Sequence, residues 1–253
     1  MPTDGRVKSV DTAFDVLEAL RDDDGITVTA LADRCDCSKS TIHAHLRTLR
    51  DRGYVVRDDD GYHLGLQFLD LGNSARSRFH LYREARPEID RLVEETGERV
   101  QLMVEEQGMG TYIYQSQSER AITTDSHTGT RVHLHSTAVG KAYLAFLPVE
   151  RVHDIIDERG LPAVTENTIT DRDEFLDELD RVRERGVAFN DEERITGMRA
   201  IGAPITDENG EATAGVSLSA PTTRLSGDRL ETELPDALKQ IARVISIKST
   251  YSQ

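Results

Sequence analysis

In the first quarter of the chain, apolar positions recur every three or four residues, the spacing of helices that each bury one stripe. Val10, Phe14, Leu17 and Leu20 mark a helix that starts near Ser9 and stops in the acidic turn formed by Asp22, Asp23, Asp24 and Gly25. A second helix follows Thr27, a residue suited to cap it, with Ala30, Leu31 and Cys35 as its buried side. Asp36 occupies the tight turn that comes next, where Gly, Asn or Asp best tolerate a positive φ. Ser38 is placed to cap a third helix, on which Ile42, His45, Leu46 and Leu49 share one face. Residues 54–64 read as two short strands about an Asp-Gly turn at 60–61. Three helices followed by a hairpin make a winged helix-turn-helix.

Beyond the hairpin, residues 67–79 read as a connecting helix next to Leu66 and carrying Leu69. The next helix carries Leu81, Ala85, Ile89, Leu92 and Val93, and closes at Gly97. Strand-like runs follow at 100–105, 111–115 and 121–126. Helices are expected over 138–146, 150–159 and 171–185, the last capped by Asp171. Strands resume at 198–205 and 212–220 about a turn at 207–210, and a final helix spans about 227–246. Strands, then helices, then strands imply an antiparallel sheet covered by helices, so the expected fold class is α+β. No internal repeat or low-complexity segment interrupts this order.

The third helix carries chemistry on its other face. Lys39, His43, Arg47 and Arg50 recur opposite the apolar stripe, with Ser40 and Thr41 in the exposed first turn. Such a helix can lie in a DNA major groove, its cations reaching phosphates or guanine edges. A helical module that docks on protein is the alternative. The net charge of −15 looks wrong for a DNA binder, but residues 38–57 hold Lys39, Arg47, Arg50, Arg52 and Arg57 against Asp51 alone, a local +4. Low lysine and abundant acid suggest a surface adapted to high salt, or merely an acidic mesophile. In high salt, counterion release would contribute little, and recognition would lean on base contacts and fit. Asp58, Asp59 and Asp60 at the wing tip would repel phosphates.

Other constellations point to structure rather than catalysis. Cys35 and Cys37, with His43 and His45 nearby, cannot converge on a metal across a rigid turn, and read as small packing residues. His127, His133 and His135 lack an evident further ligand. Glu192 and Glu193 are adjacent and therefore divergent. No nucleophile–base pair and no phosphate-binding glycine loop emerges, so the expectation is no catalytic residue, no metal and no cofactor. No apolar run approaches the roughly 18 residues of a membrane span, and no signal-peptide pattern is present, so a soluble cytoplasmic protein is expected.

Seven motifs in order carry a resemblance. They are Ser-Val-Asp-Thr-Ala-Phe-Asp-Val-Leu-Glu at 9–18, Ser-Lys-Ser-Thr-Ile-His at 38–43, Tyr-His-Leu-Gly-Leu at 62–66 and Leu-His-Ser-Thr-Ala-Val-Gly-Lys-Ala at 134–142. Thr-Ile-Thr-Asp at 168–171, Asp-Glu-Glu at 191–193 and Ser-Leu-Ser-Ala-Pro at 217–221 complete the set. From end to end the chain resembles an IclR-family transcriptional regulator. The resemblance implies a winged helix-turn-helix over 1–66, a linker helix over 67–80, and a GAF- or profilin-like effector-binding and oligomerisation domain over 81–253. It also implies a homodimer, which can pair into a tetramer, on a palindromic operator in double-stranded DNA.

The expected DNA-contacting residues are Thr27, Lys39, Ser40, Thr41, His43, Arg47 and Arg50. The resemblance places an effector pocket over the sheet, at about Ala121, Thr124, Val132, Ala138, Val139, Asn190, Met198, Ala200, Ser217 and Ser219. The residues themselves are coherent with it. Ser217 and Ser219 share one side of a strand, and residues 138–140 open a helix whose free N–H groups could receive a carboxylate. At Asn190 the family often has an acid, and at Ala200 and Ala220 some relatives have Cys and Gly, so effector identity does not carry over. A sugar-derived or other carboxylate is the expected effector class, with aromatic acids second. Two rival readings stay open: a DNA-binding scaffold that answers to no ligand, and an enzyme with the winged helix as a docking module.

Overall fold

The structure is a computed structural model that describes residues 5–23, 25–122 and 124–251. Asp24 of the expected acidic turn and Thr123 of the expected strand at 121–126 lie outside the described residues. The chain divides into two compact units at Arg78/Phe79.

The first unit contains α1 (Lys8–Asp22), α2 (Val28–Arg34), α3 (Lys39–Asp51), the antiparallel hairpin β1 (Val55–Arg57) and β2 (Tyr62–Leu64), and α4 (Gln67–Ser77). Thr27 caps α2 by accepting from the Ala30 N–H, and Ser38 caps α3 by accepting from that of Thr41. Asp36 takes the left-handed conformation at φ 47° between them. The core joins Val16, Leu20, Leu31, Ile42, Leu46, Val55 and Tyr62, with Cys35 and Cys37 packed at its margin. Two expected faces need correction. α1 buries Thr12, Val16, Ala19 and Leu20, which leaves Val10 and Phe14 exposed; α2 buries Ala32 beside Leu31, with Ala30 outside. The true stripe is shifted by two positions in α1 and by one in α2, because small Ala and Thr side chains let the backbones approach and hydrophobicity alone does not mark them.

The second unit opens with α5 (Leu81–Thr96), ended by Gly97 in the left-handed conformation. Its strands are β3 (Arg99–Glu106), β4 (Met109–Ser116), β5 (Arg131–His133), β6 (Ala188–Asp191), β7 (Met198–Thr206) and β8 (Ala212–Pro221). Among the described residues they form one antiparallel sheet in the order β5-β4-β3-β8-β7-β6. The helices α6 (Ala138–Leu144), α7 (Val149–Arg159) and α8 (Arg172–Arg185) contribute to one hydrophobic cluster, with Met103, Tyr112 and Val132. α5 and α9 (Leu234–Tyr251) contribute to the other, with Val100, Leu102, Ile201, Val216 and Leu218. The two faces differ because side chains alternate along each strand.

Three expectations for this unit are corrected. The described residues of 121–126 form no strand: the Thr124 hydroxyl accepts from the Ser126 N–H, and just before them the Ser118 hydroxyl accepts from that of Arg120, local bonds that compete with a ladder. β5 and β6 were not expected, being too short at three and four residues for alternation to stand out. The final helix is preceded by a wide π turn (Arg229–Glu233), where Pro235 has no N–H to continue a regular ladder.

α6 lies directly on the sheet. A Cβ at Gly202 of β7 would sit 2.2 Å from the Ala138 carbonyl oxygen, and one at Gly140 of α6 would sit 2.1 Å from that of Leu134. Gly202→Ala should therefore cost about 1–3 kcal/mol or more by lifting α6 from the strand. Urea unfolding checks this, and an unchanged midpoint would mean that α6 is not held by backbone contact.

Candidate functional site

Over the sheet face under α6 lies a cleft of about 460 Å³, counting the space at its mouth. Strand register builds its floor. Arg99 pairs with Ser219, Gln101 with Ser217, and Ala200 with Ser219, so these polar or small side chains lie side by side across β3, β8 and β7. Their alternate neighbours Val100, Leu218 and Ile201 enter the opposite core. Thr137, Ala138 and Val139 form one wall, and Asn190, Arg194, Ile195 and Met198 another.

Eight of the ten positions expected for the effector line this cleft: Thr124, Ala138, Val139, Asn190, Met198, Ala200, Ser217 and Ser219. Two do not. Ala121 closes a turn on the Ser118 carbonyl, and Val132 is buried in the hydrophobic cluster of α6 to α8. Asn190 is tied at both ends, donating to the Ser136 carbonyl at 2.7 Å and accepting from the Glu193 N–H at 3.2 Å. Its amide thus fixes two walls against each other. The N-terminal donors of α6 are not all free, since the Thr137 hydroxyl accepts from the Gly140 N–H at 3.0 Å.

The pattern of the chain does not single out Arg99, Gln101, Tyr112 or Arg194, which also line the cleft. The available signal was the alternation of polar Arg99 and Gln101 with Val100 and Leu102 in one strand. Burial pushes the Tyr112 phenol up to about 12, so it remains a neutral donor. Arg194 grips Asp125 with two nitrogens, at 3.1 and 3.0 Å, joining the 124–126 loop to the wall after β6.

Behind the walls lies a buried ion network. Every residue of α6 is buried, including Lys141, which donates to Glu193 at 2.6 Å and stands 3.8 Å from Glu178. Burial pushes the Glu193 carboxyl up, against the pull of Lys141. At Glu178 burial acts the same way, but Lys141, Arg181 and Arg185 together hold it below its ordinary value. Glu192, by contrast, turns to the Gly197 N–H, so the adjacent pair diverges. Of the histidines, His135 bonds the Pro162 carbonyl at 3.0 Å and His127 lies at its own loop. No grouping of three or more metal-ligating side chains occurs among the described residues.

On the first unit, α3 presents Lys39, Ser40, His43, Arg47 and Arg50 to solvent, with Thr41 half-buried. The Ser40 and Thr41 hydroxyls lie 2.7 and 2.9 Å from Ser38 Oγ, held in the cap. Among the described residues, Lys39, His43, Arg47 and Arg50 have no acidic partner, whereas Arg34 of α2 is paired with Asp22 and Asp23. Thr27 stands at the exposed start of α2. At the wing, the His63 ring bonds Asp58 at 2.8 Å and holds its carboxyl below the ordinary range, so this acid stays charged. No helix among the described residues is long and apolar enough to cross a membrane.

Lys141→Met should destabilise the second unit by about 3–5 kcal/mol, since it strands the buried Glu193. Lys141→Met with Glu193→Met should recover most of that loss. Chemical denaturation of the three proteins checks this, and a double variant no better than the single would mean that packing, not charge, is what Lys141 supplies.

Comparisons with known proteins agree with this geometry. Residues 9–59 match the IclR helix-turn-helix domain, and residues 73–247 match the family described as bacterial transcriptional regulator IclR C-terminal. The chain is 37% identical over 96% of its length to a probable HTH-type transcriptional regulator ArcR of Halobacterium salinarum, covering 94% of that protein. It superposes on the IclR crystal structure from Thermotoga maritima with a TM-score of 0.84 and 31% identity, over 97% of this chain and 100% of that one. It also shares its fold with an IclR homologue from Microbacterium hydrocarbonoxydans complexed with 4-hydroxybenzoate, at a TM-score of 0.80 and 22% identity, over 95% and 98% of the two chains. The chain belongs to the IclR family, and is a DNA-binding transcriptional regulator.

Proposed function

We propose that α3 is the recognition helix of a homodimer that binds a palindromic operator, and that the cleft under α6 takes the effector. The observation that carries this reading is the cationic face of α3. Lys39, His43, Arg47 and Arg50 have no acidic partner among the described residues of a chain with a net charge of −15. Cations left unpaired amid so many acids are kept for an anionic partner, and a helix of this size fits a major groove. In this reading Ser40, Thr41, His43 and Arg47 approach bases, and Lys39, Arg50 and the start of α2 at Thr27 meet phosphates. The acidic wing tip, with Asp58 held charged, stays out of the groove.

Dimerisation has its own support. Phe14 and Val10 on α1, and Leu66, Leu69 and Leu71 at and along α4, are exposed apolar residues on the DNA-binding unit. An apolar surface of this kind marks a protein contact, and a second copy supplies the two-fold that a palindrome needs. Effector control then requires that the ligand prefer one arrangement of the two recognition helices. Sugar-derived or other carboxylates are the effector class we favour. The cleft's form suits a binding role rather than catalysis: its polar groups are hydroxyls, amides and guanidiniums, with no nucleophile–base pair. The acidic composition, with a net charge of −15, fits work at high salt, and one relative is a regulator from the halophile Halobacterium salinarum.

Footprinting on the DNA upstream of its own gene, at low and high KCl and with a panel of carboxylates, tests this reading. Arg47→Ala should cost about 1–3 kcal/mol on the operator and relax preference at one base pair, while Lys39→Ala should weaken all sequences alike. Equal losses on every sequence for both variants would remove the base-reading role. Phe14→Asp should shift the protein toward monomer in sedimentation velocity and abolish two-fold protection. A Phe14→Asp protein that remains dimeric would place the interface elsewhere.

A further inference from the structure

The cations around the cleft are not equivalent. Arg194 is paired with Asp125, and Arg199 with Asp191. Arg99 has no such partner. It is 3% exposed, and its guanidinium donates only to neutral acceptors: Gln117 Oε1 at 2.9 Å, the Thr124 hydroxyl and the Ile122 carbonyl. Among the described residues no carboxylate stands within ion-pair distance of it. Asp125, whose field it feels, gives both oxygens to Arg194, and the preceding Glu98 is taken by Arg224 and Arg229. A buried charge without a counter-charge costs several kcal/mol, which is why such groups are nearly always paired. Burial holds the Arg99 pKa below its ordinary value, as that cost requires.

The remainder of the cleft floor is neutral. Gln101, Ser217 and Ser219 offer an amide and two hydroxyls beside Arg99 in adjacent register. The cleft therefore carries one positive charge that no described residue balances. We infer that Arg99 is the residue that recognises the carboxylate of the acid effector proposed above, and that Gln101 beside it selects a polar group on the rest of the molecule. This rests on the reading of the cleft as the effector site. A planar guanidinium suits the task, since it can offer a carboxylate two parallel donors. Neutral analogues of the same shape would leave the charge uncompensated and bind poorly.

The test uses the full-length protein and matched pairs of probes at constant ionic strength: pyruvate with hydroxyacetone, D-gluconate with D-glucitol, and 4-hydroxybenzoate with 4-hydroxybenzyl alcohol. Thermal melting and calorimetric titration are read for wild type, Arg99→Gln and Arg99→Lys, with operator affinity alongside. At least one acid should raise the melting temperature where its neutral counterpart does not, and Arg99→Gln should weaken that acid about 10- to 100-fold. Arg99→Lys keeps the charge but loses the fork to the loop, and should retain the preference for acid over neutral at lower affinity. That rescue separates recognition of charge from anchoring of the loop, and it stands even if the Gln variant does not fold. Should neutral compounds bind and alter operator affinity as well as the acids do, the effector site stands and the role of Arg99 falls. If no compound of either kind changes melting or operator affinity, both are overturned.

Discussion

The second unit depends on how closely α6 approaches the sheet. With Gly202 beneath the Ala138 carbonyl and Gly140 against Leu134, helix and strand meet backbone to backbone, and no side chain can be added between them. Such an approach leaves no room for water, so every polar group on α6 must find a protein partner. Lys141 finds Glu193 and Glu178, and Thr137 closes the helix start on Gly140. The ion pair reaches into the segment that carries Arg194, Ile195 and Met198, so one side of the cleft is held by the same contact that seats the helix on the sheet. Packing and site geometry are one constraint here.

Strand alternation then divides the labour of the sheet. One face is a continuous apolar layer of Val100, Leu102, Ile201, Val216 and Leu218 beneath α5 and α9. The other is apolar only where Met103, Tyr112 and Val132 meet α6 to α8, and polar where Arg99, Gln101, Ser217 and Ser219 line the cleft. A polar patch on the inner face of a sheet is costly unless something occupies it or bonds it. Arg99 illustrates the point, bonded to a loop yet unbalanced in charge. The DNA-binding unit shows the same contrast at its surface: acids at the end of α1 neutralise Arg34, while Lys39, Arg47 and Arg50 of α3 have no acidic partner among the described residues.

Much of this was legible in the sequence, and the misses have common causes. The caps Thr27, Ser38 and Asp171, the left-handed Asp36 and the stop at Gly97 are local chemistry, and each acts where its position in the chain implies. The faces of α1 and α2 were misread because Thr12, Ala19 and Ala32 bury by proximity rather than by hydrophobicity. The pattern at 121–126 reads as a strand, but the hydroxyls of Ser118 and Thr124 bond the backbone two residues on instead. That error also misplaced Ala121, whereas Thr124 still reaches the cleft from a loop.

The sequence by itself determined most of the helices and several of their caps, the amphipathic third helix and the shared side of Ser217 and Ser219, because these rest on spacing and on bonds between near neighbours. Only the tertiary structure decided that Arg99 and Gln101 lie beside them, that Lys141 is buried against Glu193 from 52 residues away, and that Val132 belongs to a core. Those outcomes depend on strand order and register, which bring together residues far apart in the chain. Charge pairing follows the same rule. Which of the arginines are neutralised is a matter of where folding leaves the acids, and no local pattern encodes it.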